Sequence, residues 1–128
     1  MLNSSDSMLT YTDMIRGFKG RYAYMRTDYY PAPLYYRGKF YRSAKEAYRV
    51  AMELSPKKNE YLLREMFRIV KSKILINWYF TQALARTGSA ELVNETDDPF
   101  DTFWGVHHGI GNNMLGKILI KVRRKLFV

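Results

Sequence analysis

Residues 103–123 read FWGVHHGIGNNMLGKILIKVR, and the chain changes character inside this stretch. Its first half carries Gly105, Gly109 and Gly111 beside two histidines, a composition that breaks regular structure. From Asn113 onward the apolar residues recur at helical spacing. Met114, Leu115, Ile118, Leu119, Val122 and Leu126 share one face, while Lys117, Lys121 and Arg124 lie on the other. A long loop therefore feeds an amphipathic last helix. The loop extends back to Glu95 and is rich in Asp, Gly, Pro and His. Loops of that length in a small domain are more often functional than decorative.

Upstream of the loop, Leu92-Val93 reads as a short strand and Gly88 as the C-cap of a helix over Leu75–Arg86. Before that helix, Leu62, Met66, Ile69, Val70 and Lys73/Ile74 form an apolar stripe, and Ser55-Pro56 opens the helix that carries it. Ser43-Ala44-Lys45-Glu46 is a capping box, starting a helix that runs to about Leu54. The tyrosine-rich stretch 22–41 contains Pro31, Pro33 and Arg37-Gly38. It reads as a loop and then a hairpin, with strands at Leu34–Tyr36 and Lys39–Tyr41. The expected fold is α+β: a mainly helical single domain with a small hairpin or sheet. Residues 1–14 are expected to be a flexible segment, and 15–128 the domain.

A chain of 128 residues suits one core. Its 47% hydrophobic and 26% charged content is globular composition. No cysteine is present, so disulfides and thiolate metal sites are excluded. The balance of 21 basic and 12 acidic residues gives +9, a field that favours phosphates, nucleotides or nucleic acid. With no signal-like or membrane-length apolar run, the expected setting is the cytoplasm of a bacterium, or of a phage-infected host, and no membrane partner is expected. No metal or cofactor is called for. His107-His108 lacks further clustered ligands and reads as loop surface. The set Lys121, Arg123, Arg124 and Lys125 reads as a solvated helix end.

The 103–123 string resembles the closing signature of the NADAR superfamily: Trp-Gly, a glycine-rich loop, Asn, then Leu-Gly opening an apolar helix. ARTGSAELVNET (85–96) resembles its Thr-Gly, spacer, Leu-Val segment. DYYPAPLYYRGKFYRSAKEAY (28–48) resembles its aromatic-Pro loop, Gly turn and helix, and IRGFKGRYAYM (15–25) its lead-in. The resemblance implies a NADAR-like fold and a cleft for a ribose-phosphate or ADP-ribose unit. It also implies hydrolysis of an N-glycosidic bond, in an ADP-ribosylated base or a ribosylamino intermediate. The partner would be such a small molecule, with nucleic acid a further possibility and the oligomeric state left open. The chain departs from the pattern at one critical place: Lys45 and Glu46 stand where the family has Glu and His. The carboxylate is displaced by one residue, about 100° around the helix. Asp28 stands for the usual Asn, and Arg49 for the common Gln.

Cleavage through an oxocarbenium-like sugar needs a carboxylate near the anomeric carbon, a water and help for the departing base. The catalytic candidates are Glu46 and Asp101. Glu46 either enters the site or only closes its capping box. Asp101 precedes Phe103-Trp104-Gly105, as an Asp precedes Trp-Gly in the family. The candidates for substrate binding are Asp28, Tyr29, Lys45, Arg49, Trp104, Gly105, Gly111 and Asn113. Trp104 offers a stacking face or a core ring. Gly105 and Gly111 permit close backbone approach to phosphate. The free amides at the start of the last helix suit an anion, and Asn113 caps that helix or reads ligand hydroxyls. Lys45 and Arg49, four apart on one face, form a phosphate clamp or a solvated basic face. Two readings stay open: an N-glycosidase, and a catalytically impaired module that binds ADP-ribose or a related nucleotide.

Overall fold

The computed structural model describes residues 9–28, 30–55 and 59–127. Most of the segment expected to be flexible, the Ser55-Pro56 helix opening and Tyr29 thus fall, wholly or partly, outside the described residues. The fold is α+β. Its elements run β1 (Met14–Arg16), a 3-10 helix (Gly20–Met25), β2 (Leu34–Tyr36), β3 (Lys39–Tyr41), α1 (Ala44–Leu54), α2 (Asn59–Ile76), α3 (Trp78–Arg86), β4 (Glu91–Val93) and α4 (Met114–Leu126).

Helix α2 is the axis of the molecule because it is apolar on two flanks. Leu62 and Ile69 meet Leu34 and Tyr36 of the hairpin, together with Ala44, Ala47 and Ala51 of α1. The three alanines recur at helical spacing and let α1 approach α2 closely. On the other flank Met66, Val70 and Ile74 pack with Met25, Leu84, Leu92 and the apolar face of α4. Parallel pairing of β1 with β4, Ile15 opposite Leu92, ties the N-terminal region to this second core.

The hairpin and the first helix form where the sequence places them. Arg37 and Gly38 both have positive φ, 48° and 84°, as a two-residue hairpin turn requires. The Ser43 hydroxyl accepts from the Glu46 N–H at 3.4 Å, and the Glu46 carboxylate accepts from the Arg42 N–H at 3.0 Å.

Other expectations are corrected. At the start of the described chain, Leu9 exchanges backbone hydrogen bonds with Arg86 and Ser89. The boundary expected at Leu75 falls at Asn77, whose amide donates to the Lys73 carbonyl at 2.9 Å, while Thr81 donates to that of Ile74 at 2.7 Å. These side chains satisfy the end of α2 without a Gly or Pro. Arg123, assigned to the solvated basic end, is buried and donates to Thr87 Oγ1 at 2.9 Å. Among the described residues, no helix is long and apolar enough to cross a membrane.

Candidate active site

The 94–113 loop is closed on itself. Val106 and Asn94 pair through a 2.9 Å hydrogen bond, as do Thr96 and Val106, and His107 and Ile110 exchange two more. His107 Nδ1 meets the Thr96 carbonyl at 2.9 Å. Asp98 shapes the tip by accepting from the Phe100 N–H at 2.9 Å, and its carbonyl takes the Asp101 N–H at 3.1 Å. Facing this loop are the turn after β1 and the segment after the 3-10 helix. Between them lies a cleft of ≈ 820 Å³ with Phe18 and Leu115 in its apolar lining. That volume suits a small organic ligand.

Acids dominate the polar lining. Asp28, Glu95, Asp97, Asp98 and Asp101 face Arg16, Lys19 and Arg26. Arg16 pairs with Glu95 at 3.4 Å and Arg26 with Asp28. On a chain of net charge +9, this is a locally acidic recess. Such a field favours a transient cation more than a bare polyphosphate.

Asp28 and Asp101 are pushed in opposite directions. Burial raises the Asp28 carboxyl, but the Arg26 guanidinium at 2.9 Å and the Tyr30 N–H at 3.0 Å outweigh it, so Asp28 falls below its ordinary range. Asp101 is raised by burial and then by the charge of Asp98. Two carboxyls pushed in opposite directions in one cleft are an arrangement that acid–base chemistry uses.

Behind the cleft wall, Lys73 reaches from α2 to donate to the Arg26 carbonyl at 2.6 Å. Burial lowers its pKa from 10.5 to about 7, against the opposing pull of Asp28. The unfolded chain then binds more protons than the folded one between those two values, so stability rises as pH increases across that window. In Lys73→Met, urea unfolding at a series of pH values is expected to show that part of the rise removed, a few kcal/mol at most. An unchanged slope would mean that this amine stays charged in the fold.

Of the candidates from sequence, Asp28 and Asp101 line the cleft. Glu46 does not; its carboxylate is engaged by the Arg42 N–H. Lys45 and Arg49 lie on the exposed side of α1, outside the cleft lining. Trp104 is half-buried against the core, with its ring edge-on to Tyr48 at 5.6 Å. A Cβ at Gly105 would meet the Asn94 carbonyl at 2.8 Å, and one at Gly111 would overlap the Gly105 carbonyl. These glycines serve the packing of backbone on backbone. Asn113 has φ 53° and no capping hydrogen bond. Instead its amide accepts from the Asn94 N–H at 2.8 Å and donates to the Leu92 carbonyl at 2.9 Å. A capping side chain needs extended backbone to reach the first turn, and left-handed geometry aims it elsewhere. The amides at the start of α4 are not free for an anion either, because Met114 and Leu115 donate to the Phe103 and Trp104 carbonyls at 3.1 Å.

Sequence reasoning missed Arg26, Asp98 and Lys73. The run Asp97-Asp98 and the Lys interrupting an apolar stripe were the available signals.

No family model matches the sequence, and no curated protein sequence matches it. Among solved structures, the NMR structure of the E. coli protein YbiA matches with a TM-score of 0.71 and 20% identity, over 94% of this chain and 88% of that one. The chain has a YbiA-like fold.

Proposed function

We propose that this protein is an N-glycosidase acting on a ribose-phosphate or ADP-ribose conjugate, with the acidic cleft as its active site. The observation that carries the reading is the pair of carboxyls lining one cleft, with Asp28 pushed down by its Arg26 contact and Asp101 pushed up by burial and by Asp98. The NADAR-like motifs supply the substrate class, and the fold shared with YbiA supports the placement of those motifs in one domain.

In this mechanism the bond between the anomeric carbon and the base nitrogen breaks, and its electron pair leaves with the base. Asp101 gives that nitrogen a proton. Asp28 stabilises the oxocarbenium-like sugar electrostatically, through a charge that the Arg26 contact keeps in place. Water then adds to the anomeric carbon and returns a proton to Asp101. The products are free base and a ribose hydroxyl. The test is chromatographic: ADP-ribosylated guanosine is expected to yield guanosine and ADP-ribose in equal amounts, and intact substrate would count against the reading.

A second reading is a receptor that retains the ligand and has lost the chemistry. It is favoured by Glu46, whose carboxylate accepts from the Arg42 N–H outside the cleft, and by Lys45 where the resemblance places Glu. In that case the protein should bind ADP-ribose yet leave ADP-ribosylated guanosine intact, and release of guanosine would contradict it.

A further inference from the structure

The outward side of α2, opposite the side from which Lys73 reaches the cleft segment, carries a different chemistry. We propose that it binds single-stranded nucleic acid, with guanidiniums on the phosphates and exposed rings against the bases. This does not rest on the glycosidase reading.

Arg64, Arg68, Lys71 and Leu75 are spaced by four, three and four residues, so they form one stripe along α2. The hairpin is fastened beside it, because Ser72 Oγ accepts from the Tyr35 N–H at 3.1 Å and donates to the Tyr35 carbonyl at 2.6 Å. A groove of ≈ 370 Å³ runs between them. Tyr35 lines it, 49% exposed, and Phe40, 71% exposed, meets the Tyr35 ring edge-to-face at 5.2 Å. Cations on one side of a groove and open rings on the other suit a flexible polyanion with flat bases.

The cations are held in place. Glu65 is 1% exposed and accepts from the Tyr36 hydroxyl at 2.7 Å and the Arg37 guanidinium at 3.0 Å. Arg68 reaches the same carboxylate at 3.2 Å and Arg64 at 3.9 Å. One buried carboxylate thus gathers three guanidiniums, although one would neutralise it. Positive charge is left in excess on this exposed face. Arg37 also occupies left-handed backbone at φ 48°, anchored by Glu65 and by the Tyr61 hydroxyl at 3.0 Å. Fixing arginines beforehand lowers the entropy lost on binding phosphate. A second copy of this chain is a poor occupant, since like faces would oppose their arginines.

The test is fluorescence anisotropy with labelled oligothymidylate and oligouridylate, which separates DNA from RNA. Binding is expected to weaken about 50-fold for a fourfold rise in salt if four phosphates are neutralised. In Arg64→Gln/Arg68→Gln the salt slope should drop by about 1.4. Phe40→Ala, at an exposed position that leaves the core intact, should weaken binding about tenfold through lost stacking. Circular dichroism checks the fold, and ADP-ribose titration of the Gln variant should match the parent. Three results would overturn the proposal: no binding at low salt, binding indifferent to both variants, or displacement of the oligonucleotide by ADP-ribose. Self-association abolished by Phe40→Ala, without oligonucleotide binding, would assign the surface to a protein contact instead.

Discussion

Gly116→Ala is expected to lower stability by about 3 kcal/mol, although alanine is the better helix former. A Cβ at this position would overlap the Leu92 carbonyl and the Asn113 side-chain amide. That amide is the rivet between α4 and β4, bonded to Leu92 and Asn94. Helix propensity favours alanine by about 1 kcal/mol. Overpacking a rigid contact costs about 1–3 kcal/mol. Each backbone hydrogen bond strained or lost adds about 1 kcal/mol more. The steric terms win, and a drop in Tm of about 10 °C is expected for a domain of this size. Urea titration gives the same quantity from the shift in midpoint at constant slope. A Gly116→Ala protein as stable as the parent would mean that β4 and α4 are not in contact through this amide.

Asp101→Asn is expected to slow base release about 100- to 10,000-fold with ligand affinity nearly intact, because it removes proton transfer and little else. The pH profile separates this role from a structural one. The acid must be protonated to serve the leaving base, so turnover in the parent should fall as pH rises through the raised pKa of Asp101. The variant should lack that limb. Asp98→Asn, which removes the neighbouring charge, should move the limb to lower pH. Equal turnover in Asp101→Asn and the parent would remove Asp101 from the chemistry.

Much of the fold was legible in the sequence because local rules and tertiary packing agree there. Ser43 and Glu46 announce α1, Arg37-Gly38 the hairpin, Gly88 the end of α3, and the leucine and isoleucine spacing the last helix. The parallel pairing of β1 with β4 was not legible. Three-residue strands carry almost no periodic signal, and their partners lie far apart in the chain. The break at Asn77 was missed because it depends on side chains meeting carbonyls, with no Gly or Pro to mark it.

At the site, the loop and Asp101 were legible from composition and resemblance, whereas the roles of its small residues were not. Gly105, Gly111 and Asn113 sit in a ligand-like motif, yet they hold backbone segments together. Only the folded chain distinguishes a glycine that admits a phosphate from one that admits a carbonyl. The divergence of Asp28 and Asp101 likewise depends on burial, which raises both, and on side-chain orientation, by which Arg26 lowers Asp28 and Asp98 raises Asp101 further.

The central claim is that the acidic cleft is where the sugar binds and the N-glycosidic bond breaks. A crystal of Asp101→Asn soaked with ADP-ribosylated guanosine tests it most directly. The account predicts density for the ribose between Asp28 and residue 101, with the base nitrogen within hydrogen-bond reach of the latter. Ligand density elsewhere on the molecule, with this cleft empty, would contradict it.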